Sequence, residues 1–141
     1  MDSSLGGVEA VFLDLDGTIY LGGDLIPGAL DFLSRCDEQG VKRFFLSNNS
    51  SRSVAQYVAK LEGMGIPCTA DDILLSTHDL LAWLSNEGVT RTWAIATTGM
   101  CQMMEEAGIS TKDSNPQYVV LGYDTEIDYD KISIGSIHMH K

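Results

Sequence analysis

The chain has 141 residues, 44% hydrophobic and 21% charged, enough for one compact domain or for parts of two. Nine basic against twenty acidic residues leave a net charge of -11, which argues against a nucleic-acid backbone or an anionic membrane as partner. A small phosphorylated molecule in a locally positive pocket is still compatible with that charge.

No stretch approaches the roughly 20 apolar residues of a membrane span. Met1–Gly7 carries neither a basic cluster nor an apolar run of the secretory type, so a cytoplasmic protein is expected. Cys36, Cys68 and Cys101 are odd in number and far apart. They are expected to be reduced thiols acting as small hydrophobes, not a disulfide framework or a zinc site.

Along the chain, Val8–Leu15 is a short apolar run without clean alternation, which predicts a strand buried on both faces of a parallel sheet. A glycine-bearing loop is predicted from Gly17 to Ile26. Pro27 fits the first turn of a helix with Ala29, Leu30, Leu33 and Cys36 near helical spacing, stopped at Gly40. Val41–Leu46 predicts a second strand. Ser50, Ser51 or Ser53 can cap the next helix, where Val54, Tyr57, Val58 and Leu61 share one face up to Gly65.

Ile73–Leu75 predicts a short strand, and Ser76 or Thr77 a helix cap before Leu80, Leu81 and Leu84. Thr92–Thr97 predicts a strand and Gly99–Ala107 a helix, with Met100, Met103 and Met104 as packing. Tyr118–Leu121 predicts another strand. The tail from Asp128 fits a strand through Ile132 and Ile134, or a helix through Tyr129, Ile132 and Met139. Strands alternating with helices indicate an α/β fold with a mostly parallel sheet.

The chemistry concentrates at Asp14-Leu15-Asp16-Gly17-Thr18, where the first strand ends. Ligands of open α/β sheets bind at the carboxyl ends of strands. Two carboxylates there repel each other, and a divalent cation relieves the cost; magnesium takes a few carboxylate oxygens, waters and phosphate oxygens. One carboxylate can attack phosphorus, and the other can protonate the leaving alcohol and later activate water. Ser47-Asn48-Asn49-Ser50 ends the second strand and opens a helix, a setting in which hydroxyl, amide and helix N-terminal N–H groups cradle an anion.

Asp14-x-Asp16-Gly17-Thr18 resembles the first motif of the haloacid dehalogenase-like superfamily, and Ser47-Asn48 resembles its second. The resemblance implies that Asp14 is the nucleophile and Asp16 the general acid/base. It implies that the Asp14 carboxylate and the Asp16 carbonyl bind Mg²⁺, and that Ser47 bonds the transferred phosphoryl group. Asn48 would orient the loop and the substrate, and Gly17, Thr18 and Asn49 complete the expected substrate-binding set. The segments DLDGTIYLGGDLIPGA, FFLSNNSSRS and VVLGYD resemble the NagD-like, p-nitrophenyl phosphatase-like group. That group implies a Rossmann-like parallel sheet core with an inserted α/β cap, here both incomplete: core in 1–88, cap in 89–141.

The family's later lysine and acidic metal motifs are not met before Lys141, so the expectation is an N-terminal fragment with little activity of its own. Two alternatives stand beside it. One is a complete capless phosphatase using Lys112 with Asp124 and Asp128. The other is a catalytically dead fragment that acts only by association, as a homo-oligomer, through exposed apolar surface.

Overall fold

The computed structural model describes residues 5–140. Residues 1–4, on which the reading of a leaderless start partly rests, and residue 141 lie outside the described residues. The chain packs as two units. The first holds the residues up to Ser47 together with Tyr57–Leu74, and the second holds Asn48–Gln56 with the residues from Leu75 onward. Among the described residues no helix is long and apolar enough to cross a membrane.

In the first unit, strand β1 (Ala10–Asp14) pairs in parallel with β4 (Lys42–Ser47), and β5 (Ile73–Leu75) lies beyond β4. Between β1 and β4 come a two-residue hairpin, β2 (Tyr20–Leu21) against β3 (Asp24–Leu25), and helix α1 (Ala29–Glu38). The hairpin occupies what the sequence predicts as plain loop. Gly28, at φ 88°, takes the N-cap of α1, so Pro27 stands before the helix instead of in its first turn. Helix α2 (Val54–Gly63) follows β4, and most of it belongs to this unit.

One sheet face is buried through Leu15, Phe45 and Ile73, and Leu33, Cys36, Tyr57 and Leu61 from the helices join the same core. The opposite face shows Phe12, Leu46 and Leu74 to solvent, with Phe12 stacked on Phe44 at 5.2 Å. The expectation of a strand buried on both faces is therefore met on one face only. β1 is also an edge strand in the sheet order, so its outer side has no ladder partner among the described residues.

In the second unit, β6 (Thr92–Ile95) pairs in parallel with β7 (Tyr118–Leu121). Helices α3 (Ser76–Asn86) and α4 (Thr98–Glu106) contribute Leu84, Met100 and Met104 to a core with Val89, Ala94, Ala96, Ile109 and Val120. Thr97 caps α4 by accepting from the Met100 N–H. α3 opens at Ser76, not after it: the Leu75 N–H donates to His78 Nδ1 at 3.1 Å, so Ser76 and Thr77 are helical residues and neither is the cap.

The ambiguous tail forms helix α5 (Tyr129–Met139), with Asp128 accepting from the Lys131 N–H at its start. α5 is held to β6 at two points. Trp93 Nε1 donates to the Lys131 carbonyl at 3.0 Å, and Gly135 lies against Ile95 and Trp93, where a Cβ would collide.

Candidate functional site

β1 ends at Asp14, and the chain then turns tightly. Gly17, at φ 87°, donates its N–H to the Tyr20 carbonyl at 2.7 Å, and the Leu15 carbonyl collects the N–H groups of Thr18, Ile19 and Tyr20. Glycine is required at a positive φ because a Cβ there meets the backbone. Leu15 is fully buried while Asp14 and Asp16 are exposed, so the turn anchors itself through the apolar residue and leaves both carboxylates at the surface. Tyr20 closes the turn in the core, and the Lys60 ammonium of α2 sits 3.6 Å from its ring centroid, a cation–π contact that ties the turn to the helix.

β4 ends at Ser47. Asp14 pairs in register with Leu46, so Ser47 is the next residue along the neighbouring strand. Its hydroxyl is buried and lies 2.9 Å from the Tyr57 hydroxyl of α2. Sequence reasoning gave Tyr57 only a packing role. The signal that could have singled it out is a hydroxyl on an otherwise apolar helix stripe, which needs a partner once buried.

Asp14, Asp16, Gly17, Thr18 and Ser47 thus all belong to the first unit, at the carboxyl end of the paired strands β1 and β4. Asn48 and Asn49 belong to the second unit. There the Asn48 carbonyl accepts from the Ser76 hydroxyl at 3.2 Å, and the Asn49 side chain accepts from the Ser51 N–H at 2.9 Å. Ser53 caps α2 reciprocally with Gln56: the Gln56 N–H reaches Ser53 Oγ and the Ser53 N–H reaches Gln56 Oε1.

Among the described residues no group of three or more His, Cys, Asp and Glu side chains could hold a metal alone. The hard oxygens of Asp14 and Asp16 fit magnesium in kind, since that ion takes one or two protein carboxylates and completes its shell with water and phosphate.

The residues of the capless alternative have other work. The Asp124 side chain is 1% exposed and accepts from Lys131 Nζ at 2.9 Å. Asp128 caps α5, and Lys112 lines an open cleft of about 380 Å³ with Lys131, Thr98 and Gln102. An aspartate neutralised by a lysine and a helix cap do not form a metal shell, so the structure gives that alternative no support. His138 packs its ring on Trp93 at 5.6 Å, and the three cysteines are free thiols.

Residues 11–110 match the family model described as haloacid dehalogenase-like hydrolase. The chain is 31% identical over 131 residues to the acid sugar phosphatase of Staphylococcus epidermidis, covering 92% of this chain and 51% of that one. The crystal structure of the 4-nitrophenylphosphatase of Thermotoga maritima superposes with a TM-score of 0.86 at 32% identity, over 94% of this chain and 51% of that one. The glycerol phosphate phosphatase of Mycobacterium tuberculosis, in complex with magnesium, shares the fold with a TM-score of 0.84 at 22% identity, over 94% and 41%. The chain spans about half the length of the curated relatives it matches.

Proposed function

This chain belongs to the haloacid dehalogenase-like hydrolases, and from that membership we propose that it carries the nucleophile end of a Mg²⁺-dependent phosphatase for small phosphate monoesters. The observation that carries the proposal is the turn at the end of β1, which leaves Asp14 and Asp16 exposed around a buried Leu15, one register step from Ser47. The same region is matched by the family model.

In this reading the Asp14 carboxylate attacks phosphorus, forming the P–O bond of an aspartyl phosphate as the bond to the substrate alcohol breaks. Asp16 delivers the proton to the departing alkoxide and then takes one from the water that hydrolyses the acyl phosphate. Ser47 hydrogen-bonds a phosphoryl oxygen, its hydroxyl oriented by Tyr57. Gly17, Thr18, Asn48 and Asn49 supply the surrounding backbone and amide groups. Asp14 and the Asp16 carbonyl would hold magnesium, whose charge offsets that of the phosphate dianion.

The relatives' names point toward sugar phosphates and nitrophenyl phosphate as substrates to try first. The residues from Val89 onward would be the cap part and those up to 88 the core part. A cytoplasmic setting, and self-association through the uncovered Phe12, Leu46 and Leu74 face, complete the proposal.

The test is release of nitrophenol from p-nitrophenyl phosphate by a longer protein that carries these residues, since little turnover is expected of this chain alone. Turnover is expected to require Mg²⁺ and to fall by about four orders of magnitude or more in Asp14→Asn, the usual cost of losing a nucleophile. Turnover that survives that substitution would remove Asp14 from the role.

A further inference from the structure

The segment that follows Ser47 is fastened, residue after residue, to the strand ends and helix starts of the second unit. The Ser76 hydroxyl donates to the Asn48 carbonyl at 3.2 Å. Ser50 Oγ accepts from the Tyr123 N–H, just past β7, at 2.8 Å. The Thr97 hydroxyl, at the end of β6, donates to the Ser51 carbonyl at 2.9 Å. Thr97 is 1% exposed and Ser50 8%. At the start of α4, Gly99 packs against Gln56 Oε1 and the Ser53 N–H, so a Cβ would collide with the Gln56 oxygen and press on the Ser53 amide. Gly122 likewise lies against Ser50 Oγ and Met100.

A peptide group is planar, so a fixed carbonyl fixes the direction of the N–H on its other side. Ser76 holds the Asn48–Asn49 peptide and Thr97 holds the Ser51–Arg52 peptide. On the phosphatase reading, the N–H groups of these two peptides would be the ones offered to an anion before α2.

We infer that Thr97 and Ser76 are positioning residues for phosphate recognition, acting through the backbone of Asn48–Arg52. The inference rests on the phosphatase reading above. It adds that the anion loop is set by hydroxyls far away in sequence, and that the second unit's strand ends decide how well it binds. Neither residue need touch substrate. Thr97 already spends its oxygen on the Met100 N–H, so its single proton is what the Ser51 carbonyl uses.

The probe is inorganic phosphate with Mg²⁺, titrated into the full chain while the amide resonances of Asn48, Asn49 and Arg52 are followed by NMR. Thr97→Val and Ser76→Ala are each expected to weaken phosphate binding by about threefold to tenfold, the range for loss of one hydrogen bond. Thr97→Ser, which keeps the donor, should restore the parent affinity. Ser76 is exposed, so Ser76→Ala reports even if Thr97→Val fails to fold.

Parent-like affinity in both variants would overturn the inference while leaving the phosphatase reading in place. The same holds if Thr97→Ser is as weak as Thr97→Val. A parent chain whose resonances do not respond to phosphate would bring down the reading itself, and the inference with it.

Discussion

At the residue scale, Ser47 and Tyr57 form a buried hydroxyl pair 2.9 Å apart, and on the proposed phosphatase reading Tyr57 orients the hydroxyl that meets phosphate. Removing one partner takes a hydrogen bond away from a buried hydroxyl. Tyr57→Phe is therefore expected to destabilise the fold by about 1 kcal/mol and to lower kcat/KM for p-nitrophenyl phosphate about fivefold. Chemical denaturation and steady-state kinetics on the same variant check both values. The thiols make a second residue-scale prediction. Burial pushes the Cys36 thiol above its ordinary range, with Arg43 pulling the other way and Asp37 adding to the rise. Cys36 is fully buried, so it should stay unlabelled by a thiol reagent at neutral pH until the chain unfolds. Labelling in the native state would contradict its placement in the core.

At the element scale, α5 is held by a charged strut. Lys131 Nζ reaches the buried Asp124 carboxylate and the carbonyls of Ala96 and Glu126, which uses all three of its protons. Burial pulls the Lys131 ammonium down, but Asp124, Asp128 and Glu126 together outweigh it and raise its pKa above the ordinary lysine value of 10.5. A proton held more tightly in the folded state stabilises that state. The contribution is complete below about pH 10.5 and is lost as pH rises through the folded value. Glu126 runs the other way. Hydrogen bonds from the Thr98 side chain and backbone hold its carboxyl below the ordinary 4.5, so its contribution is present above that value and lost as pH falls through the folded one. Lys131→Met leaves Asp124 buried and uncompensated, and should cost on the order of 3 kcal/mol. The alkaline limb of a melting-temperature profile should flatten in that variant, which a series of thermal melts across pH would measure.

At the scale of the whole molecule, the proposed self-association would run through the sheet face on which Phe12, Leu46 and Leu74 are exposed. Phe12 is 60% exposed on edge strand β1, and Leu46 and Leu74 on β4 and β5 are exposed as well. An apolar edge strand of this kind pairs with other chains. Sedimentation is expected to show concentration-dependent association, reduced in Phe12→Lys; a monomer at all concentrations would contradict it.

The same face marks where sequence reading stopped short. An apolar run such as Val8–Leu15 states that it will be a strand, because the signal is local, but what covers each face is decided by distant residues. The Asp14–Thr18 turn was legible because its glycine and acids are contiguous. The tail was ambiguous because its helix depends on Asp128 as cap and on Lys131 reaching Asp124. The fastening of Asn48–Arg52 was invisible because Ser50 and Tyr123 lie 73 residues apart.

The phosphatase reading stands or falls with the Asp14 carboxylate accepting a phosphoryl group. The direct measurement is incubation of the chain with acetyl phosphate and Mg²⁺, acid quench, and peptide mapping of any acyl phosphate by mass spectrometry. A hydroxylamine-sensitive phosphoryl group is expected on Asp14, missing in Asp14→Asn and reduced without Mg²⁺. A phosphoryl group on any other residue, or none in the parent chain, would contradict it.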